Sequence, residues 1–189
     1  MSENKLQDGG SGKMKHFSKF ALLFGGILLL FTLGACRYAG TGSDPARIVA
    51  KTAEKIADFT LPPGYVPEYG LHALGYTAVA YHDDNAGHLY LVQSESEADG
   101  TALQEALDEM VPGYQDEERE LEVVEQWPFT LRGQDVLVTI SEGTGGEGEM
   151  MRQATAVFQG KAGPTLLILR EPSTRWDEAT VQAFLASVR

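Results

Sequence analysis

Residues 44–189 of this 189-residue chain predict an α+β fold, a mostly antiparallel sheet with helices packed on it. Three observations carry that expectation. Runs rich in β-branched and aromatic residues come in pairs joined by hairpin-length polar loops. Helical stretches fall before, between and after those pairs, and no repeating strand–helix–strand pattern surrounds them. A compact apolar run, TLLILR at 165–170, has the composition of a strand buried on both faces.

In order along the chain, Asp44 and Pro45 read as N-cap and first position of a helix whose Ile48, Val49, Thr52, Ala53 and Ile56 share a face. In DFTLPPGY (58–65) the backbone must be extended at Leu61, because a proline follows it. A strand is expected to enter a type II turn there, with Pro63 and Gly64 at its centre. GYTAVAY (75–81) and GHLYLVQ (87–93) are strands joined by the polar loop HDDNA. Asp99 opens a second helix with Leu103, Ala106, Leu107 and Met110 on one side, and Pro112-Gly113 closes it. LEVVEQW (121–127) alternates and runs through PFTL and a turn at Arg132-Gly133 into QDVLVTI (134–140), a second hairpin. Residues 149–159 satisfy either a helical or a strand pattern. Thr174 with Asp177 has capping-box spacing, and Val181, Phe184, Leu185 and Val188 line a final helix.

Phe59-Thr60-Leu61-Pro62-Pro63-Gly64-Tyr65, the hairpin turn at Gly133 and the closing FLASVR together resemble the PsbP-like family of photosystem accessory proteins and their bacterial lipoprotein relatives, over residues 44–189. The resemblance implies an α/β/α sandwich serving as a non-catalytic assembly or binding module. It carries over no site residue.

Upstream of this domain, Lys13, Lys15, His16 and Lys19 precede the apolar stretch FALLFGGILLLFTLGA, the layout of a secretory signal. Its sixteen residues would make a helix of about 24 Å, short of the roughly 30 Å of a bilayer core. An uncleaved anchor helix is the alternative, and needs a thinned bilayer or flanking help. Leu33-Gly34-Ala35-Cys36 resembles the lipobox of bacterial lipoproteins. In that family the cysteine thiol receives diacylglycerol, and the signal is cut just before it. By this resemblance residues 1–35 are the signal peptide, with Met14 as the working start, and Cys36 is the lipid attachment point. Residues 36–43 then form a flexible tether and 44–189 a single domain. Arg37 stands where the family's sorting rule would look for an inner-membrane retention Asp. Cys36 is also the sole cysteine, so no disulfide can form within the chain.

Four basic residues (Lys5, Lys13, Lys15, Lys19) and two acidic ones (Glu3, Asp8) precede Cys36, so of totals of 15 and 27 the remainder carries 11 basic and 25 acidic residues, a balance of −14. A domain this acidic is repelled by phosphate backbones, which are bound through clustered Lys and Arg, and equally by the anionic face of a bilayer, so nucleic acid is not an expected partner. The expected contacts are the membrane, through lipid on Cys36, and a protein of the cell envelope.

Local chemistry offers few sites. His82 and His88 flank the loop and would face each other across a hairpin, with Asp83 or Asp84 as an oxygen ligand; this suits zinc or copper, whereas an Asx-rich turn with two surface histidines explains the same residues. A calcium loop fails because Gly87 and Ser94 stand where ligands should. Gly143-Thr144-Gly145-Gly146-Glu147-Gly148 matches a dinucleotide fingerprint, against which stand Glu142, Glu147 and Glu149; a hairpin loop is the better reading. No nucleophile-elbow, zincin or C-x-x-C spacing occurs, and no carboxylate pair stands out. Trp127 and Trp176 read as packing residues.

The expectation is therefore a lipid-anchored, extracytoplasmic binding module without a cofactor, with a surface hydrolase using dispersed carboxylates, or a His82/His88 metal protein, as alternatives. Cys36→Ser should leave an unprocessed precursor that takes no label from metabolically supplied fatty acid. Label and cleavage retained in that variant would overturn the lipobox reading.

Overall fold

The computed structural model describes residues 44–114, 121–145 and 148–189, all within the compact unit Ser43–Arg189. The signal segment, Cys36 and the tether lie outside the described residues, as do Gly146 and Glu147. The elements are α1 (Pro45–Ala53), β1 (Val66–Ala73), β2 (Tyr76–His82), β3 (His88–Ser94), α2 (Gly100–Met110), β4 (Glu122–Leu131), β5 (Gln134–Thr144), β6 (Met150–Gln159), β7 (Pro164–Pro172) and α3 (Glu178–Ser187). The strands form one antiparallel sheet in the order β1-β2-β3-β7-β6-β5-β4. The expected α+β fold is present: two meanders, β1–β3 and β4–β7, meet where β3 pairs with β7.

Both faces of the sheet's centre are covered. On one, Val49, Ile56, Phe184 and Leu185 of the α1 and α3 regions pack on Val79, Leu91, Leu167 and Leu169. On the other, Leu103 and Leu107 of α2 pack on Ala80, Val92, Leu166 and Ile168. Alternate residues of β7 thus feed two cores, which is why TLLILR is apolar without interruption. Each fully buried Leu or Ile here contributes about 1.5–3 kcal/mol.

The caps behave as local chemistry dictates. Asp44 accepts from Ala46 N, with Pro45 at the first helical position, and Asp99 accepts from Ala102 N. Gln153 to Phe158 take the strand alternative within β6.

Three expectations are corrected. Residues 57–62 form no strand before the turn at 63–64, because Pro62 and Pro63 have no N–H to give a ladder. The turn itself forms, with Gly64 at φ 91° and Tyr65 N–H donating to Pro62 O at 3.3 Å. Instead of a sheet neighbour, Asp58 exchanges both backbone hydrogen bonds with Arg189, at 2.9 and 2.7 Å. The strand arises after the turn, as β1, where Pro67 and Gly70 had concealed it; Gly70 lies close under α1, and a Cβ there would come within 3.1 Å of Val49 Cα. Second, Thr174 lies in a turn and does not cap α3. Asp177 does, its carboxylate accepting from Ala179 N and Thr180 N. Third, Ile48 leaves the apolar face of α1 and is 41% exposed.

Both sheet edges are interrupted. β1 carries Pro67 beside a register shift between Pro67 and Tyr69, and β4 carries Pro128 and a shift between Val123 and Glu125.

Two hairpins turn through pairs with positive φ, Leu74-Gly75 (54° and 80°) and Arg132-Gly133 (53° and 74°), as tight type I′ connections require. Leu74 is poorly suited to this: it is 96% exposed and sits in a conformation that Asn adopts readily. Leu74→Asn should stabilise the domain by about 0.5–1 kcal/mol, raising the melting midpoint by roughly 1–4 °C. Calorimetry checks it; a lower midpoint would mean the Leu74 side chain contributes packing that its exposure conceals.

Candidate functional site

The β2–β3 connection holds the residues that the sequence singled out. His82 and His88 are direct cross-strand partners, so the hairpin register is as expected. Their rings have other neighbours: His82 Nδ1 lies 3.6 Å from Glu68 Oε2 in β1, and the His88 ring stacks on Tyr90 with centroids 5.7 Å apart. Asp83 does not join them. Its Oδ1 accepts from the N–H groups of Asn85 (2.9 Å) and Gly87 (2.7 Å), closing an Asx turn, and its Oδ2 accepts from Arg175 Nη1 at 2.7 Å. With both oxygens of Asp83 engaged, the His82–Asp83–His88 ligand set is not assembled, and among the described residues no group of three His, Cys, Asp or Glu side chains could hold a metal ion.

Asp83 instead belongs to a cluster that sequence reasoning missed. Tyr65, just after the Pro63-Gly64 turn, donates its hydroxyl to Glu171 Oε1 at 3.1 Å. Glu171 ends the apolar run of β7 and is only 8% exposed; Tyr65 is 7% exposed. Arg175, in the β7–α3 connection, donates to Asp83 and to Asn85 O at 3.2 Å. Gly87 sits against this cluster so closely that a Cβ would lie 2.8 Å from the Tyr65 hydroxyl and 2.9 Å from Asp83 Oδ1. Beside it, Arg152 of β6 is the cross-strand partner of Glu171, pairs with Glu142 at 3.1 Å and lies 5.4 Å from the Trp176 ring centroid. Acids and bases therefore alternate across β5, β6 and β7 at this end of the sheet.

The electrostatics follow from the packing. Burial raises the pKa of Glu171, and the Tyr65 hydrogen bond and Arg175 only partly offset it. Burial and the neighbouring Glu171 carboxylate push the Tyr65 phenol far above its ordinary value. Burial opposes charge on Asp83 as well, but hydrogen bonds from Gly87, Arg175 and Asn85 prevail and hold it below the usual carboxylate range. The cluster joins the β2–β3 turn, the Tyr65 turn and the β7–α3 connection, so its chemistry is that of a brace. The one sequence signal for it is a carboxylate, Glu171, directly after the apolar run TLLILR.

Grooves among the described residues lie elsewhere. One of about 720 Å³, at the opposite end of β3 and β7, is lined by Glu95, Glu97, Asp99 and Gly163 among others. A smaller one of about 270 Å³ runs between α1, Phe59, Leu61 and Tyr81. The glycine-rich stretch is a strand-to-strand connection: β5 ends at Thr144, β6 begins at Met150, and Gly145 N donates to Glu149 O at 2.7 Å. No helix follows to place an N-terminus against a pyrophosphate, which removes the dinucleotide reading.

A scan against protein-family models matches none, and a search of the curated proteins finds no similar chain.

The two carboxylates of the brace should give opposite pH signatures. Asp83, with a lowered folded pKa, contributes stability that is present above its unfolded pKa and lost as pH falls through the folded one. Asp83→Asn should therefore cost about 2–4 kcal/mol near neutrality and less in acid. Glu171, with a raised folded pKa, favours folding most below its unfolded pKa and loses that contribution as pH rises through the folded one. Glu171→Gln, which can still accept from Tyr65, should gain on the parent as pH rises. Urea unfolding across the acid range measures both, and parallel profiles would contradict the assignment.

Proposed function

We propose that this chain is a membrane-anchored extracytoplasmic lipoprotein, and that residues 44–189 act as a non-catalytic binding or assembly module of PsbP-like character. The Leu33-Gly34-Ala35-Cys36 sequence and the short tether behind it support the anchor. Helices on both faces of an antiparallel sheet favour the α/β/α arrangement implied by the family resemblance. The observation that carries the non-catalytic reading is the closure of the brace. The Tyr65 hydroxyl is committed to Glu171, and both oxygens of Asp83 accept hydrogen bonds from the protein itself. A general acid or base must instead reach a substrate proton.

One observation favours the surface hydrolase as a second reading. Asp83 and Glu171 lie in one cluster with pKa values displaced in opposite directions, an arrangement acid–base enzymes use. Their burial weighs against it. No helix among the described residues is long and apolar enough to cross a membrane, so attachment in this reading rests on the N-terminal segment.

Crosslinking in intact membranes followed by mass spectrometry should recover one reproducible envelope protein. Recovery of none, together with turnover in a glycan or peptide substrate screen that Glu171→Gln abolishes, would replace the module with the hydrolase.

A further inference from the structure

Tyr81 of β2 is a buried phenol whose hydroxyl the fold does not use. The residue is 3% exposed, and a phenol buried that deeply ordinarily finds a hydrogen-bond partner. Tyr65 and Tyr114, likewise buried, do so: Tyr65 donates to Glu171 at 3.1 Å, and Tyr114 accepts from Gln104 Nε2 at 2.7 Å. Tyr81 has no hydrogen bond among the described residues, and burial alone pushes its pKa up to about 12, so the hydroxyl keeps its proton at neutral pH. Nor is the side chain sealed in the core, because Tyr81 lines the groove of about 270 Å³ beside α1.

The rest of that groove is largely apolar and its walls are fixed. α1 and the residues just after it line it with Ala50, Ala53 and Ala57, whose single methyl groups leave a space that longer side chains would fill. Phe59 and Leu61, both half-buried, supply the larger apolar surfaces. Phe59 meets Tyr81 and Phe184 edge-on, with ring centroids 6.0 Å apart in each pair. The segment carrying Phe59 and Leu61 is irregular but pinned: Asp58 exchanges both backbone hydrogen bonds with Arg189, and Thr60 N–H donates to Ser187 Oγ at 3.0 Å. A surface held in this way needs little further ordering when a ligand enters it.

The charges around the groove select neither sign of ligand. Asp58 is paired with Lys161 at 2.7 Å, and the exposed Glu54 stands in the chain between the exposed Lys51 and Lys55. An ion pressed against the apolar walls would lose its water without gaining a partner. We propose that this groove binds a small, uncharged, apolar molecule carrying one hydroxyl or carbonyl oxygen, which hydrogen-bonds to the Tyr81 hydroxyl while the apolar body lies against Ala53, Phe59 and Leu61. Apolar walls with one placed polar group are the usual make-up of a small-molecule site, and the volume, just below the common range of about 300–1,000 Å³, suits a single ring or a short chain. The site belongs to the folded domain and does not rest on the anchored reading.

The test uses the full chain with isotope-labelled alanine methyl groups and a pair of probes of similar size, para-fluorophenol and fluorobenzene, of which only the first carries an oxygen. In methyl NMR the Ala50, Ala53 and Ala57 signals should shift saturably with para-fluorophenol, which partition of the probe elsewhere does not produce. Tyr81→Phe should weaken para-fluorophenol by about three- to tenfold, the worth of one hydrogen bond, and leave fluorobenzene unchanged. The same variant should keep the melting midpoint of the parent, because the lost hydroxyl bonds to nothing in the fold. Absence of a saturable shift at these methyls with either probe overturns the site. Equal effects of Tyr81→Phe on the two probes overturn the assigned ligand class. A clearly lowered midpoint overturns the proposal as well, since the fold would then be using the hydroxyl.

Discussion

The pairing of β3 with β7 is the constraint on which the rest of the molecule depends. Its partners, from His88↔Arg170 to Gln93↔Thr165, are 72 to 82 positions apart, and they join two meanders that are each locally encoded. Neither meander offers a complete core by itself. Leu91 and Leu167 close one layer, Val92 and Leu166 the other, and only the paired strands present both surfaces to the helices. Closing so long a loop costs chain entropy before its contacts reward it.

The brace is a product of that pairing. Once β3 and β7 are aligned, the turn that starts β3 and the connection that leaves β7 lie at the same end of the sheet, which brings Asp83 to Arg175 and Tyr65 to Glu171 across separations of 92 and 106 residues. Burying these groups is costly, and what holds them is mutual satisfaction: the ionised carboxylate has the guanidinium and two N–H groups, while the carboxyl with the raised pKa has a phenol. Gly87 belongs to the same arrangement, since any side chain at that position would enter the space between Tyr65 and Asp83.

Features set by neighbours in sequence were legible in it. The caps at Asp44 and Asp99, the Arg132-Gly133 turn and the hairpin that opposes His82 to His88 depend on a few adjacent residues. β1 was illegible because Pro67, Glu68 and Gly70 are each poor strand residues, and it is the sheet edge and the packing of α1 that admit them. Helical periodicity grouped Ile48 with the core residues, whereas the width of the contact between α1 and the sheet decides which of them is covered. The brace was hidden for the most general reason: spacing within HDDNAGH says which residues share a loop, and nothing about a tyrosine or arginine delivered from elsewhere. The sequence offers Asp83 as a ligand for a cation, and in the fold it binds one, the guanidinium of Arg175.

The interrupted edges constrain how the domain could recognise another chain. Strand addition reads mainly the backbone, and tolerates almost any sequence that can lie flat against an open ladder. With Pro67 and a register shift on one edge and Pro128 and another shift on the opposite edge, that permissive mode has no long uninterrupted template. Recognition is left to side chains on helix surfaces, in grooves and on the sheet face carrying Leu137, whose identities change one at a time. Specificity in such a domain can be retuned by single substitutions without disturbing the hydrogen-bonded frame beneath them.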